Sequence, residues 1–168
     1  MKRILENNTV LYLHPGELHF SNKSLVVTTV LGSCIAITMY DPVSKFSAIS
    51  HCQLPKCNLN VCNSKKCNSS YKYVNCTIKA MIEKFELRKI KISDLEVKLF
   101  GGSDVLKKTN NNDYTVGKQN IEEAENELKK LGIKIKAFDT GGTRGRKLHF
   151  VTHTGDVYLT RLKGNEKN

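Results

Sequence analysis

Short apolar runs separated by turn residues dominate the first third of the chain and predict β-strands. Residues 25–31 and 35–40 are apolar and rich in β-branched side chains, and residues 46–51 form a third run after Asp41-Pro42. Strands that are adjacent in sequence usually pair, so the second and third runs are predicted to form a hairpin. Such a pairing brings the end of the third strand back to the start of the second.

The same pattern predicts further strands along the chain. Pro15-Gly16 separates two short runs, so residues 9–14 and 17–20 are predicted to form a hairpin. A closing hairpin is predicted around Thr154-Gly155-Asp156. The two strands of this hairpin are residues 147–151 and 157–162. Two further strands are predicted at residues 95–100 and 133–138.

Two segments carry apolar residues at helical spacing. The first covers about residues 73–88, and the second has acidic early turns, late lysines and Gly132 as its end, which matches helix-dipole and C-cap preferences. Strands with two inserted helices predict an α+β fold, a single layered domain of mostly antiparallel strands with two principal helices. The apolar stripes are Ile78, Met81, Ile82 and Phe85 in the first helix, and Ile121, Ala124, Leu128 and Leu131 in the second.

Length and composition agree with one globular domain. The 168 residues are expected to form a single domain over 1–168, with its core over about 10–162 and a Cys-, Asn- and Ser-rich loop at 56–70. Hydrophobic residues make up 39% and charged residues 26%, which excludes disordered and membrane classes. The polar N-terminus and the lack of a long apolar run predict a cytoplasmic protein that is not membrane-embedded.

The chain is strongly basic, with 27 Lys and Arg residues against 16 Asp and Glu and a net charge of +11. Such a balance favours polyanions or acidic protein surfaces as partners. Nucleic acid is not predicted, because the basic residues are spread along the chain without the interleaved aromatic residues that stack bases. A solvated basic surface that suits an acidic protein partner is the simpler interpretation.

Four of the five cysteines after Cys34 are regularly spaced. Cys52, Cys57, Cys62 and Cys67 recur at every fifth residue, and Cys76 follows. The spacing lacks the C-x2-C pairs typical of zinc sites, and a chain without a secretory signal gives no reason to expect structural disulfides. A metal site, a redox or disulfide role and plain loop thiols therefore remain open, and neither a metal nor a cofactor is predicted.

Cys34 stands apart from this group and is the candidate nucleophile. It follows Gly32-Ser33, where the backbone can bend between two strands and N–H groups can converge on an oxyanion. The predicted hairpin brings His51 towards it, and an imidazole can take the proton of a thiol. Local pattern alone still favours a buried structural cysteine beside an ordinary histidine. His149 and the other histidines are interpreted as surface or packed residues.

A longer ordered pattern favours the nucleophile over the structural cysteine as the interpretation of Cys34. Six blocks that span about residues 10–162 resemble the signature of CheD, the family of chemotaxis receptor-glutamine deamidases. The blocks are Thr28-x-x-Leu31-Gly32-Ser33-Cys34, Tyr40-Asp41-Pro42, His51-x-x-Leu54-Pro55, Lys98-x-Phe100-Gly101-Gly102-Ser103, Gly117-x-x-Asn120 and Asp139-Thr140-Gly141-Gly142-x-x-Gly145-Arg146.

The resemblance implies hydrolysis of glutamine side-chain amides on methyl-accepting chemotaxis receptors, through a cysteine thioester and without a cofactor. It implies that Cys34 is the nucleophile, His51 the general base and Thr28 the group that orients the imidazole. Thr29 would point to the opposite face of the strand, so only one of the two threonines can serve. Gln119 departs from the family, which usually has Arg at this position.

The resemblance also implies partners and a fold. The expected partners are the cytoplasmic helices of the receptor and a phosphatase of the CheC type, and the expected fold is distantly similar to the deamidating cytotoxic necrotizing factor toxins. Two alternatives remain: a non-catalytic chemotaxis adaptor that binds receptor or phosphatase, and a cysteine-rich metal or redox sensor. The glycine-rich segment around Arg146 is interpreted as a structural loop or a substrate edge, because it lacks the Lys-Ser/Thr and the helix of a phosphate-binding loop.

Overall fold

The computed structural model describes residues 5–6, 8–57, 71–104 and 114–163. Nine strands and two principal helices lie within these ranges. The strands are β1 (Val10–Tyr12), β2 (Leu18–Ser21), β3 (Val26–Leu31), β4 (Ile35–Tyr40), β5 (Ser47–Ser50), β6 (Glu96–Gly101), β7 (Ile135–Thr140), β8 (Arg146–Val151) and β9 (Val157–Arg161), and the helices are α1 (Val74–Glu86) and α2 (Val116–Lys130).

The strands form two sheets. The four-stranded sheet has the order β1-β3-β8-β9, and the five-stranded sheet has the order β2-β5-β4-β6-β7. The β1–β3 and β6–β7 pairs are parallel, and every other pair within these sheets is antiparallel. The predicted α+β class with mostly antiparallel strands is confirmed.

Three layers follow from the two apolar clusters. One cluster joins α1 and α2 to the five-stranded sheet and includes the predicted stripe of α1, of which Ile78, Met81 and Phe85 are examples. The other lies between the two sheets and joins Val27 and Phe150 to Ala36 and Ile49, among others. The five-stranded sheet is therefore the middle layer, with helices on one face and the second sheet on the other.

The predicted hairpin of residues 9–14 and 17–20 is wrong. β1 pairs in parallel with β3 in one sheet, whereas β2 pairs with β5 in the other. The connecting segment crosses between the sheets: the Leu13 N–H donates to Thr28 O at 2.8 Å, and the Gly16 N–H donates to His51 O at 2.8 Å. Alternating apolar residues predict a strand but not its partner, because each short run is equally able to pair elsewhere.

A second crossing lies between β3 and β4, at Gly32-Ser33. It carries the chain from the four-stranded sheet into the middle sheet. The predicted β4–β5 hairpin is confirmed, and its register continues without a shift as far as the bridge between Ile35 and Cys52. The candidate nucleophile thus lies at the end of a ladder, next to a sheet crossing.

Helix α2 begins earlier than its apolar stripe. The Thr115 side chain caps it by accepting from the Lys118 N–H at 3.3 Å, and Gly132 follows its end at φ +69°, as predicted. Leu131, predicted within the stripe, is exposed. In the part of the chain that the structure describes, no helix has the length and apolar character to cross a membrane.

Candidate active site

Cys34 and His51 lie on the same face of the middle sheet, towards the second sheet. Because the β4–β5 register continues to Ile35 and Cys52, Cys34 stands opposite Gln53 and diagonal to His51. Diagonal cross-strand residues are about 7–8 Å apart at Cα, within reach of longer side chains. Cys34 is half-buried and packs against the cluster between the sheets. The hairpin thus brings the predicted thiol and imidazole together.

A threonine hydroxyl holds the His51 ring. Thr29 Oγ1 lies 2.7 Å from His51 Nδ1 and donates to the backbone O of Leu13 at 2.8 Å. A hydroxyl has one proton, which here is directed to Leu13, so the oxygen must accept from Nδ1–H. His51 therefore carries its proton on Nδ1, and its Nε2 lone pair is the basic one.

Burial favours the neutral forms of both Cys34 and His51. His51 is 2% exposed, and burial lowers its pKa to about 4, although the Leu13 carbonyl and Glu17 act in the opposite direction. Burial also raises the pKa of the Cys34 thiol, against the smaller effect of the hydrogen bond from its own backbone N–H. The resting pair is thus a thiol and a neutral imidazole.

The structure corrects the predicted contact of Thr28. Thr28 Oγ1 lies 2.7 Å from His149 Nδ1, and both side chains are buried. The two residues are directly paired in the β3–β8 ladder. Strand alternation turns neighbouring side chains to opposite faces, and the face towards His51 belongs to Thr29. His149 is a packed histidine, as interpreted from the sequence.

Backbone donors fix the carbonyls of the loop before β4. The N–H of Ser103 donates to Gly32 O, and the N–H of Gly102 donates to Cys34 O, both at 2.8 Å. Gly101 allows this approach because its φ is +108° and a Cβ there would lie 2.2 Å from Cys34 O. The loop of residues 101–103 is therefore a template for the nucleophile loop, residues 32–34.

Arg146 fixes the loop of residues 101–103 through hydrogen bonds. It is fully buried and donates to the backbone O of Gly101 and to Ser103 Oγ, each at 2.9 Å. It also pairs with Asp139 Oδ1 at 3.1 Å and donates to the backbone O of Asp139 and of Gly141. The glycine-rich segment around Arg146 was interpreted as a structural loop or a substrate edge, and these contacts are those of a structural loop.

The backbone N–H groups of Ser33 and Cys34 suit an oxyanion. Across residues 8–57, 71–104 and 114–163, neither group donates to a backbone carbonyl. The Cys34 N–H faces its own sulfur. N–H groups that make no bond to a backbone carbonyl and lie next to a nucleophile can serve as donors to a tetrahedral oxyanion.

Among the described residues, no group of three or more His, Cys, Asp and Glu side chains is placed to hold a metal ion. Cys62 and Cys67 lie outside these residues. Cys76 is disulfide-bonded, so the expectation of no structural disulfide is wrong for this residue, and the redox or disulfide alternative describes it. For the regularly spaced cysteines, the metal, redox or disulfide and plain-thiol alternatives stay open.

Sequence reasoning missed the role of Thr29, although it noted the residue. Alternation showed that only one of two adjacent threonines could serve, but the orientation of β3 was needed to decide which. Ser103, Asn120 and Arg146 stood in the quoted blocks without an assigned task. Their positions in those blocks were the available signal. Ser103 and Asn120 contact the nucleophile loop, and Arg146 contacts the loop of residues 101–103, but these contacts depend on the three-dimensional arrangement.

The chain is similar to a known family and to named relatives. The family described as "CheD chemotactic sensory transduction" matches residues 54–161. The chain is 46% identical over 156 residues to "Probable chemoreceptor glutamine deamidase CheD 2" of Geobacter sulfurreducens, covering 93% of this chain and 92% of that protein. It is 33% identical over 146 residues to "Chemoreceptor glutamine deamidase CheD" of Thermotoga maritima, covering 87% of each chain.

A solved structure, the hypothetical protein YfiH of Bacillus licheniformis, aligns with a TM-score of 0.47 and 13% identity, over 76% of this chain and 51% of that one. This likeness is too weak to support an argument. The family model covers more than half of the chain, and the two relatives cover 93% and 87% of it. The chain belongs to the CheD family.

Proposed function

We propose that this protein is a cysteine hydrolase that deamidates glutamine side chains of chemoreceptors. The observation that carries the proposal is the arrangement of Cys34 and His51 on one sheet face, with Thr29 fixing the imidazole proton on Nδ1. The relatives named as chemoreceptor glutamine deamidases support the same reaction. Thr29 takes the orienting role that the resemblance implied for Thr28.

The reaction begins with attack of Cys34 Sγ on the carboxamide carbon of glutamine. His51 Nε2 takes the thiol proton as the S–C bond forms, and the carbonyl oxygen becomes an oxyanion that faces the N–H groups of Ser33 and Cys34. Collapse of this intermediate breaks the C–N bond, and His51 gives the proton to the departing ammonia. The product of this half-reaction is a thioester with neutral His51.

Water completes the cycle. His51 Nε2 removes a proton from water, whose oxygen attacks the thioester carbon, and the proton then goes to the departing sulfur. The products are glutamate and the free thiol. The hydroxyl of Thr29 orients the imidazole, but it carries no charge that would stabilise the cation. We therefore expect a slower enzyme than one with a carboxylate in this place.

The finer features of this function come from the family resemblance and stay predictions. They are a substrate glutamine on the cytoplasmic helices of a methyl-accepting receptor, a cytoplasmic location and a CheC-type phosphatase as partner. The net charge of +11 suits docking on an acidic protein surface.

Incubation with a receptor cytoplasmic fragment tests the proposal. Peptide mass spectrometry should show conversion of particular glutamines to glutamate by the wild type and by Cys57→Ala, and none by Cys34→Ala. Cys57 is the matched control, because it is a second half-buried cysteine far from β4 in sequence. Binding of receptor without conversion by any of the three proteins would favour the non-catalytic adaptor instead.

A further inference from the structure

Asn120 lies where the β4–β5 ladder stops. Its Nδ2 donates to the backbone O of Ser33 at 2.9 Å and to the backbone O of Gln53 at 3.0 Å. Ser33 precedes the nucleophile, and Gln53 stands opposite Cys34 in the register. One side chain from α2 therefore connects the strand that carries Cys34 with the strand that carries His51.

The orientation of this amide follows from its partners. Two carbonyl oxygens can accept only from the NH2 group, so a flipped amide would place oxygen against oxygen twice. Asn120 is fully buried, and its Oδ1 has no hydrogen-bond partner among the described residues. Within this part of the chain, the hydrogen bonds of the amide are directed entirely at the two strands.

A side-chain donor solves a specific problem at this position. The last backbone rung joins Ile35 and Cys52, which exchange both of their hydrogen bonds at 3.0 and 2.8 Å. A further rung would join Ser33 and Leu54, but Leu54 N–H donates to Lys72 O at 2.8 Å instead. The carbonyl of Ser33 still requires a donor. Asn120 supplies one and leaves the Ser33 N–H without a ladder partner.

From this geometry we propose that Asn120 is a positioning residue for Cys34. It holds the nucleophile loop against the β5 end, so that the thiol, the imidazole and the N–H groups keep their spacing. It acts through Ser33 and Gln53 rather than by touching substrate. The inference rests on the proposed role of Cys34 as nucleophile, and it adds a residue that the Cys34–His51–Thr29 arrangement does not include.

Alkylation of Cys34 by iodoacetamide, followed by peptide mass spectrometry, tests this role without any receptor. The proteins are the wild type, Asn120→Asp, His51→Gln and the double variant, with Asn126→Asp as an exposed control on the same helix. We expect each single variant to slow alkylation at neutral pH about tenfold, and the double variant to be within about twofold of the slower single one. The control should match the wild type.

Independent effects, in which the double variant loses roughly the product of the two single factors, would overturn the proposal. With a receptor fragment, Asn120→Asp should lower kcat about a hundredfold and leave KM within about twofold, as expected for a displaced reacting group. Asn120→Ala, which removes the donors without adding an acceptor, should behave in the same way.

Thermal unfolding of each variant separates positioning from folding. If both Asn120 variants are unfolded at every temperature, the residue serves stability alone and the proposal is wrong. The single and double variants could show coupled effects on alkylation while the wild type converts no receptor glutamine. That result would contradict the proposed function but support the positioning role. The two proposals therefore fail in different ways.

Discussion

Thr29 Oγ1 lies 2.7 Å from His51 Nδ1 and donates a hydrogen bond to the Leu13 carbonyl, so a single hydroxyl determines which imidazole nitrogen is basic. We expect Thr29→Val to lower kcat about a hundredfold, because His51 loses its fixed tautomer and orientation. Steady-state ammonia release from a receptor fragment measures this effect.

Thr28→Val is the matched control. It removes the equivalent hydrogen bond to His149 on the other face of the same strand. Both variants leave buried polar groups unpaired, at a cost of about 1–3 kcal/mol in the free energy of unfolding. Only Thr29→Val should lose activity. A larger loss in Thr28→Val would restore the assignment that the motif alone suggested.

The buried neutral state of His51 predicts a pH dependence of stability. Its folded pKa of about 4 lies below the ordinary histidine pKa of 6.5, so the unfolded chain binds more protons between these values. The free energy of unfolding should therefore fall as the pH is lowered through this window, with at most about 3 kcal/mol from His51.

Urea unfolding of the wild type and His51→Gln at several pH values isolates this contribution. Burial also lowers the pKa of His19 and His149, and both remain in the variant. The difference between the two proteins should shrink as the pH falls from 6.5 to 4. A difference that is constant with pH would mean that His51 does not titrate in this way.

Gly101 predicts a steep steric effect. A Cβ at this position would meet the Cys34 carbonyl at 2.2 Å, in a backbone conformation at φ +108° that L side chains rarely adopt. We expect Gly101→Ala to cost at least about 3 kcal/mol of unfolding free energy.

Gly132→Ala is its control, since φ is also positive there but nothing lies within 4 Å of the added carbon. Its cost should be about 1–2 kcal/mol. Denaturant unfolding of both variants measures the difference. Equal costs would show that the contact with the nucleophile loop is not tight.

Arg146 should contribute far more to the free energy of unfolding than Arg161, although both guanidinium groups contact Asp139. Arg146 is fully buried and binds the loop of residues 101–103, whereas the Arg161 side chain is 44% exposed. Arg146→Met leaves buried carbonyls without donors and should cost about 3–5 kcal/mol. Arg161→Met should cost less than about 1 kcal/mol. Calorimetric unfolding of the two variants gives the comparison.

Periodicity was sufficient to predict most of the elements and the β4–β5 hairpin, because local pairing and apolar spacing are properties of short segments. It failed for β1 and β2, which pair in different sheets, since pairing over long separations leaves no local signal. The same limit explains the exchange of Thr28 for Thr29. Which face of β3 meets His51 depends on how two sheets pack, and no residue spacing records that.

The proposed reaction requires that Cys34 forms a thioester with a glutamine side chain. The most direct measurement is intact mass spectrometry of enzyme quenched in acid shortly after mixing with a glutamine-containing receptor peptide. We expect an adduct equal to the peptide less one ammonia, located on Cys34, released by hydroxylamine and absent from Cys34→Ala. Conversion of glutamine to glutamate by Cys34→Ala at the wild-type rate would contradict it.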